Sequence, residues 1–254
     1  MRPRLPAALA VSLCLVLAAA ASAAAAPAPA GPAPVKAAPA GPVPAPPTSR
    51  LAWVARVLTP TVARSAPRLS ARPRMVVQPV APFAGGATRL LVTRTLVVEG
   101  ERWLEVLLPM RPNGTRGWIR ADVTRLGTTT LRIVVNLDAR RLILYRANRV
   151  VLRAPVAIGE PGTPTPTGPM FALAEMIRTG TPGAFLGPIV FPLTGYSETL
   201  NEFAGGDGRV AIHGTSLPEL IGTRASHGCI RMRNADIVRL SRLARAGTPV
   251  SIRP

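Results

Sequence analysis

The chain has 254 residues, of which 29 are proline and 22 glycine; this excludes a long helical bundle and predicts short strands joined by many turns. Its formal charge of +19 comes from 31 basic against 12 acidic residues, and Lys36 is the only lysine, so the basic groups are almost all guanidinium. Guanidinium stays charged and grips carboxylates and phosphates in a fixed fork, which predicts an acidic partner surface and does not require nucleic acid.

The chain opens with Arg2 and Arg4, then an apolar stretch over residues 7–20 and the small residues Ala21, Ser22 and Ala23, which together read as a secretory signal peptide over residues 1–23. The 20 residues from Ala7 to Ala26, interrupted only by Ser12 and Ser22, are about long enough for a bilayer, so a membrane association is expected only if the leader is retained. Cys14 follows Leu13, where a lipoprotein signal needs a small residue, so no lipid anchor is expected. Cleavage leaves Cys229 as the single cysteine, a thiol with no internal disulfide partner, and a charge of about +17. The expected localisation is secreted, extracytoplasmic.

Residues 24–50 form a Pro/Ala-rich linker, with nine prolines in the 21 residues from 27 to 47. Such a tract favours an extended polyproline conformation and would reach about 60 Å.

Residues 51–127 read as short strands. Residues 102–108 carry the mixed apolar and charged pattern of a half-buried strand, Pro112, Asn113 and Gly114 form a turn, and Gly117, Trp118 and Ile119 begin another strand. The block from Trp103 through Trp118 to Val123 resembles a bacterial Src-homology-3-like barrel, a small module often attached to cell-wall enzymes. Trp103 and Trp118 fit equally a core role and a ligand role.

Residues 130–254 form a third segment. Strands are expected over residues 131–137, 141–145 and 150–158, lying side by side and antiparallel. Prolines 161, 164, 166 and 169 predict a loop over residues 159–169, a strand resumes over 171–176, and residues 210–212 deliver His213 to a strand end. One helix is expected, capped by Asn234, with Ile237, Leu240 and Leu243 or Ala244 on its apolar face and Gly247 as its stop.

The chain's two histidines, His213 and His227, and Cys229 fall within 17 residues. A thiol becomes a useful nucleophile as thiolate, and an imidazole in hydrogen-bond reach is the usual means of making it so. Either histidine could serve. His227 would share a side with Cys229 if residues 226–229 were extended, and His213 could face it from a neighbouring strand. A zinc site would need a further ligand, and neither C-x-x-C nor H-x-x-x-H spacing is present, so no metal and no cofactor are expected. Arginines 116, 120, 132, 140, 141, 146, 149 and 153 are scattered without interleaved aromatics, so no nucleic-acid partner is expected.

Ile212-His213-Gly214-Thr215, followed by Ser226-His227-Gly228-Cys229-Ile230-Arg231, resembles the signature of the YkuD-type L,D-transpeptidases, bacterial cell-wall enzymes. The loop residues Thr165-Pro166-Thr167-Gly168 also fit that group. The resemblance covers about half the chain and implies a mainly β protein: a small Src-homology-3-like barrel followed by a YkuD-type β-sandwich or barrel catalytic domain with a minor helical part. It implies Cys229 as nucleophile, His213 as base and the Gly214 carbonyl as the group orienting His213. It places Ser226, His227, Gly228 and Arg231 in the substrate site, with N–H groups near Gly228 and Cys229 as oxyanion donors. The implied partners are peptidoglycan stem peptides, joined through a Cys229 thioester with release of D-alanine, besides the anionic wall polymers that the charge predicts. Hydrolysis of the same thioester, or wall binding by an idle domain, are the alternatives.

Overall fold

The computed structural model describes residues 41–180, 184–203 and 205–254. The leader with Cys14 and the first part of the Pro/Ala linker, including Lys36, lie outside the described residues. The later linker residues pack on the protein: Pro44 is buried, and the Arg102 guanidinium donates to the carbonyls of Gly41 and Pro42 at 3.2 Å each. The end of the Pro/Ala linker is thus held against the first sheet, where a buried arginine takes carbonyls that proline-rich backbone leaves unpaired.

The first sheet comprises β1 (Ala52–Val57), β2 (Thr61–Arg64), β3 (Pro73–Val77), β4 (Arg89–Val98), β5 (Glu101–Leu107), β6 (Arg116–Arg120) and β7 (Thr124–Thr129), in the order β3-β2-β6-β5-β4-β1-β7. All its pairs are antiparallel. Its core holds Val57, Leu90, Leu104, Val106 and Ile119. Trp103 and Trp118 are also buried, so they serve as core aromatics rather than exposed ligand platforms.

The second sheet comprises β8 (Leu131–Asn136), β9 (Arg141–Arg146), β10 (Arg149–Gly159), β11 (Gly168–Ala172), β12 (Ile177–Arg178), β13 (Ile189–Tyr196), β14 (Arg209–His213), β15 (Arg224–Ser226), β16 (Ile230–Met232) and β17 (Pro249–Arg253), with the helix α1 (Asn234–Leu243) between the last two. The strand order is β11-β17-β8-β9-β10-β16-β14-β13-β12, with β15 paired to β10. The expected trio β8, β9 and β10 is antiparallel, as their turn residues imply. The sheet curls until its ends meet: Leu173 bridges Leu193, and the Ala172 N–H donates to Thr194 Oγ1 at 3.0 Å. Ile133, Leu144, Val156, Phe171, Phe191, Ile212 and Ile230 fill the interior. The fold is mainly β with one short α-helix among the described residues.

Two details differ from expectation. The strand placed at 171–176 is β11, which starts earlier at Gly168 and includes Pro169; as an edge strand it tolerates a residue without an N–H. Asn234 is the first helical residue rather than a side-chain cap, and the chain leaves the helix at Ala244, three residues before Gly247.

The two sheets are joined by polar contacts around Tyr196. The Asn113 side chain exchanges two hydrogen bonds of 2.8 Å with the Tyr196 backbone, and the Tyr196 hydroxyl donates to the Pro109 carbonyl at 2.8 Å. Arg111 lies over the Tyr196 ring and donates to the carbonyls of Ser197, Leu200 and Asp207. Asn113→Ala strands both backbone groups of Tyr196 and should cost about 1–3 kcal/mol. Chemical denaturation of the two chains measures this, and an unchanged midpoint would show that the sheets are not coupled through this contact.

Candidate active site

The site is set by the register of one parallel strand pair. Ile212 of β14 lies opposite Ile230 of β16, and His213 lies opposite Arg231. Side chains alternate along a strand. Ile212 and Ile230 point into the core, and Ala211, His213, Cys229 and Arg231 therefore point together to the opposite side, where all four line one cleft. The cleft has a volume of about 340 Å³. Val190 and Pro192 of β13 extend its floor, paired with His213 and Ala211.

His213 is 1% exposed, and its Nδ1 lies 2.6 Å from the Gly214 carbonyl oxygen. That oxygen can only accept, so Nδ1 carries the hydrogen and Nε2 is left as the basic nitrogen. Gly214 is held in turn: Asn234 Oδ1 accepts the Thr215 N–H at 2.9 Å, and a Cβ on Gly214 would collide with that oxygen. Asn234 thus acts across the fold instead of capping its own helix. Burial pushes the His213 pKa down to about 4; the Gly214 carbonyl opposes this, the Arg231 charge adds to it, and the Leu186 carbonyl opposes it again. The resting imidazole is neutral at pH 7.

Cys229 is half-buried and is the free thiol of the described residues. Burial raises its pKa, against the Ala211 backbone N–H and the Arg231 charge, which both favour the thiolate. Thiol and imidazole therefore rest uncharged, and no preformed ion pair is expected.

The turn before the thiol is held from beneath. Gly228 has φ +108°, a left-handed conformation suited to glycine. The Ser226 hydroxyl donates to the Cys229 carbonyl at 2.5 Å and accepts the Gly228 N–H at 3.3 Å. Ser226 is 0% exposed, and neither it nor Gly228 lines the cleft. The resemblance places Ser226 in the substrate site; in the structure its hydroxyl is engaged by the turn at the left-handed Gly228, and it is not among the residues that line the cleft. The same twist removes the extended geometry on which a shared side for His227 and Cys229 depended. His227 is exposed, stacks on Phe203 at 4.7 Å and has Nε2 3.8 Å from Glu160 Oε1, yet it still reaches the cleft. Thr165 lies on the inner side of its loop, where its Oγ1 accepts the Gly159 N–H at 2.9 Å.

Arg231 is 5% exposed, its guanidinium lies 4.9 Å over the Phe185 ring, and its Nε has no hydrogen-bond partner among the described residues. A buried cation with an unsatisfied donor on a cleft wall is suited to an anionic ligand. Phe185, Phe203, Glu160 and Asn234 were not legible as site residues; the first three have no motif spacing, and Asn234 carried a stronger helix-start signal. Among the described residues no three His, Cys, Asp or Glu side chains cluster as metal ligands.

A thiol and an oriented imidazole thus line one cleft of a curled β-sheet, an arrangement of residue types suited to acyl transfer. The profile of the YkuD family, the L,D-transpeptidase catalytic domain, matches residues 130–252. The chain is 38% identical over 127 residues to a Bacillus licheniformis protein assigned as the L,D-transpeptidase YkuD, covering 50% of this chain and 68% of the relative. Its Bacillus subtilis counterpart is 35% identical over 125 residues, covering 49% and 67%. The solved catalytic domain of an Enterococcus faecium L,D-transpeptidase is 25% identical with a TM-score of 0.36, covering 48% of this chain and 96% of that one. The chain belongs to the YkuD family of L,D-transpeptidases.

Because the thiol pKa is raised, the rate of Cys229 alkylation by iodoacetamide should keep climbing as pH rises through 7 to 9. Stopped-time mass analysis gives the profile. A plateau already reached at pH 6 would reveal a preformed thiolate and contradict the neutral pair.

Proposed function

We propose that the chain is an exported acyltransferase that cross-links peptidoglycan stem peptides through a thioester on Cys229. The observation that carries this reading is the common face of His213 and Cys229 on the β14–β16 pair, beside the buried Arg231. In the first step Sγ attacks the carbonyl carbon of the L-centre in the donor tetrapeptide while the thiol proton passes to Nε2 of His213. The Gly214 and Leu186 carbonyls stabilise the imidazolium that forms, and the raised thiol pKa ties proton transfer to attack. The C–N bond to the terminal D-alanine then breaks, and His213 returns its proton to the departing amine. In the second step an acceptor amine attacks the thioester, its proton passes to His213, and the new amide leaves as the thiol is regenerated. Arg231 holds a carboxylate of the donor stem. His227, on the cleft rim against Phe203, contacts substrate without serving as the base.

Export rests on the leader pattern of residues 1–23. We read the sheet of residues 52–129 as the Src-homology-3-like module; its antiparallel pairing and small core support this. Wall attachment is supported by the β9–β10 hairpin, where Arg146 and Arg149 are paired across the strands and, with Arg141 and Arg153, exposed. Like charges placed opposite are destabilising unless a counter-charge arrives, and an anionic wall polymer supplies one.

Intact-mass analysis after incubation with a tetrapeptide donor, an amine acceptor or a carbapenem tests the chemistry. Cys229→Ala should form no adduct, His213→Ala should acylate about 10² to 10⁴ times more slowly, and His227→Ala should lose less. A new amide with released D-alanine supports transfer. Tripeptide alone at saturating acceptor makes the protein a carboxypeptidase, and no adduct on Cys229 with any donor makes it a wall-binding protein.

Adhesion to purified wall should weaken steeply with salt, since exposed charges are screened beyond about 8 Å at physiological ionic strength. A pull-down across a salt series reads this, and salt-insensitive binding would contradict the arginine surface.

A further inference from the structure

The chain has five phenylalanines, and two of them, Phe171 and Phe191, fill the core. The other three, Phe83, Phe185 and Phe203, are exposed, and all three line the thiol cleft. Phe83 is the most exposed of them at 65%, and it belongs to the first sheet's side of the chain, nearly 50 residues before β8 begins.

It sits on a preformed loop. A bridge between Val80 and Ala87 closes the loop's base, the Ala81 N–H donates to the Gly86 carbonyl at 2.7 Å, and the Gly85 N–H donates back to Ala81 at 3.2 Å. Glu175, just before β12, anchors the tip: its buried carboxylate accepts the N–H of Ala84 at 2.8 Å and that of Phe83 at 3.3 Å. A carboxylate that is 4% exposed and aimed at two backbone N–H groups fixes the loop against the second sheet, and the ring still remains uncovered. An exposed, positioned aromatic on a cleft wall is the form a binding anchor takes.

Position within the sheet gives the span. From the thiol the cleft crosses β16, β14 and β13 to Ile177 of β12, and Glu175, two residues earlier along the same edge of β13, holds the loop there. Three strand spacings are about 14 Å. The three residues on the acyl side of the reacting bond cover about 10 Å when extended, which brings the far end of the stem within a side chain's reach of the loop.

We propose that Phe83 is a specificity-determining residue, contributed by the first sheet, that packs against the far end of the donor stem peptide while the near end reacts at Cys229. The inference rests on the stem-peptide reading above. It gives the first domain a direct part in substrate choice, and it predicts that the benefit of Phe83 depends on donor length.

The test uses the full chain and compares wild type, Phe83→Ala and Phe83→Trp, with a disaccharide-tetrapeptide as long donor and a carbapenem as short acylating probe. For Phe83→Ala the KM for the long donor should rise about tenfold with kcat little changed, the loss in carbapenem acylation should be at least about five times smaller, and Phe83→Trp should restore most of the long-donor affinity. Equal losses with both probes, or a KM within about twofold of wild type, overturns the proposal. If wild type consumes no donor, the proposed function fails separately, and calorimetry of the unreacted tetrapeptide decides. Binding about tenfold weaker in Phe83→Ala supports the inference; equal affinity, or no binding to wild type, overturns it.

Discussion

Everything in the site depends on the parallel pairing of β14 with β16. Its register, Ile212 against Ile230 and His213 against Arg231, sends alternate residues to opposite faces. A slip of one residue would bury Cys229 or Arg231 among Leu144, Val156 and Phe191 and expose the isoleucines, so the hydrophobic cost of the wrong register also protects the chemistry. Parallel neighbours cannot be joined by a tight turn, and the 15 residues between His213 and Cys229 supply the crossover. Ser226 and Gly228 then set the last turn before the thiol, from inside.

The same face fixes the electrostatics. Burial drives both His213 and Cys229 toward their neutral forms, and Arg231 pushes them in the same sense for the imidazole and in the opposite sense for the thiol. A cation on their common face thus favours the thiolate of Cys229 without favouring a charged histidine. The carbonyls of Gly214 and Leu186 offset the cost of the imidazolium only once a proton arrives. An acceptor-only pair of carbonyls orients the ring and favours its protonated form in the way a carboxylate would.

The thiol, the histidine and its carbonyl partner were legible because they are scarce, local in sequence and set beside glycines. The trio β8, β9 and β10 and the buried face of α1 were legible for a similar reason: turn residues and apolar spacing act over a few residues. What was hidden depended on distance or on backbone handedness. Ser226 faces inward to hold the Cys229 carbonyl and the Gly228 N–H, and Gly228 is left-handed, a torsion that the residue type permits but does not announce. Asn234 looks like a helix cap because the cap rule weighs local donors, and the Thr215 N–H, 19 residues earlier, wins its oxygen. Phe83 meets the cleft through Glu175, 92 residues away, and no periodicity carries that information.

The central claim is that His213 rests as a neutral ring with its hydrogen on Nδ1. Nitrogen-15 NMR of the two histidine side chains through a pH titration measures it directly, with His227→Gln separating the signals. The account predicts that His213 keeps the Nδ1-protonated neutral form from pH 8 down to near its pKa of about 4. A doubly protonated His213 at pH 7, or a neutral ring carrying its hydrogen on Nε2, would contradict it.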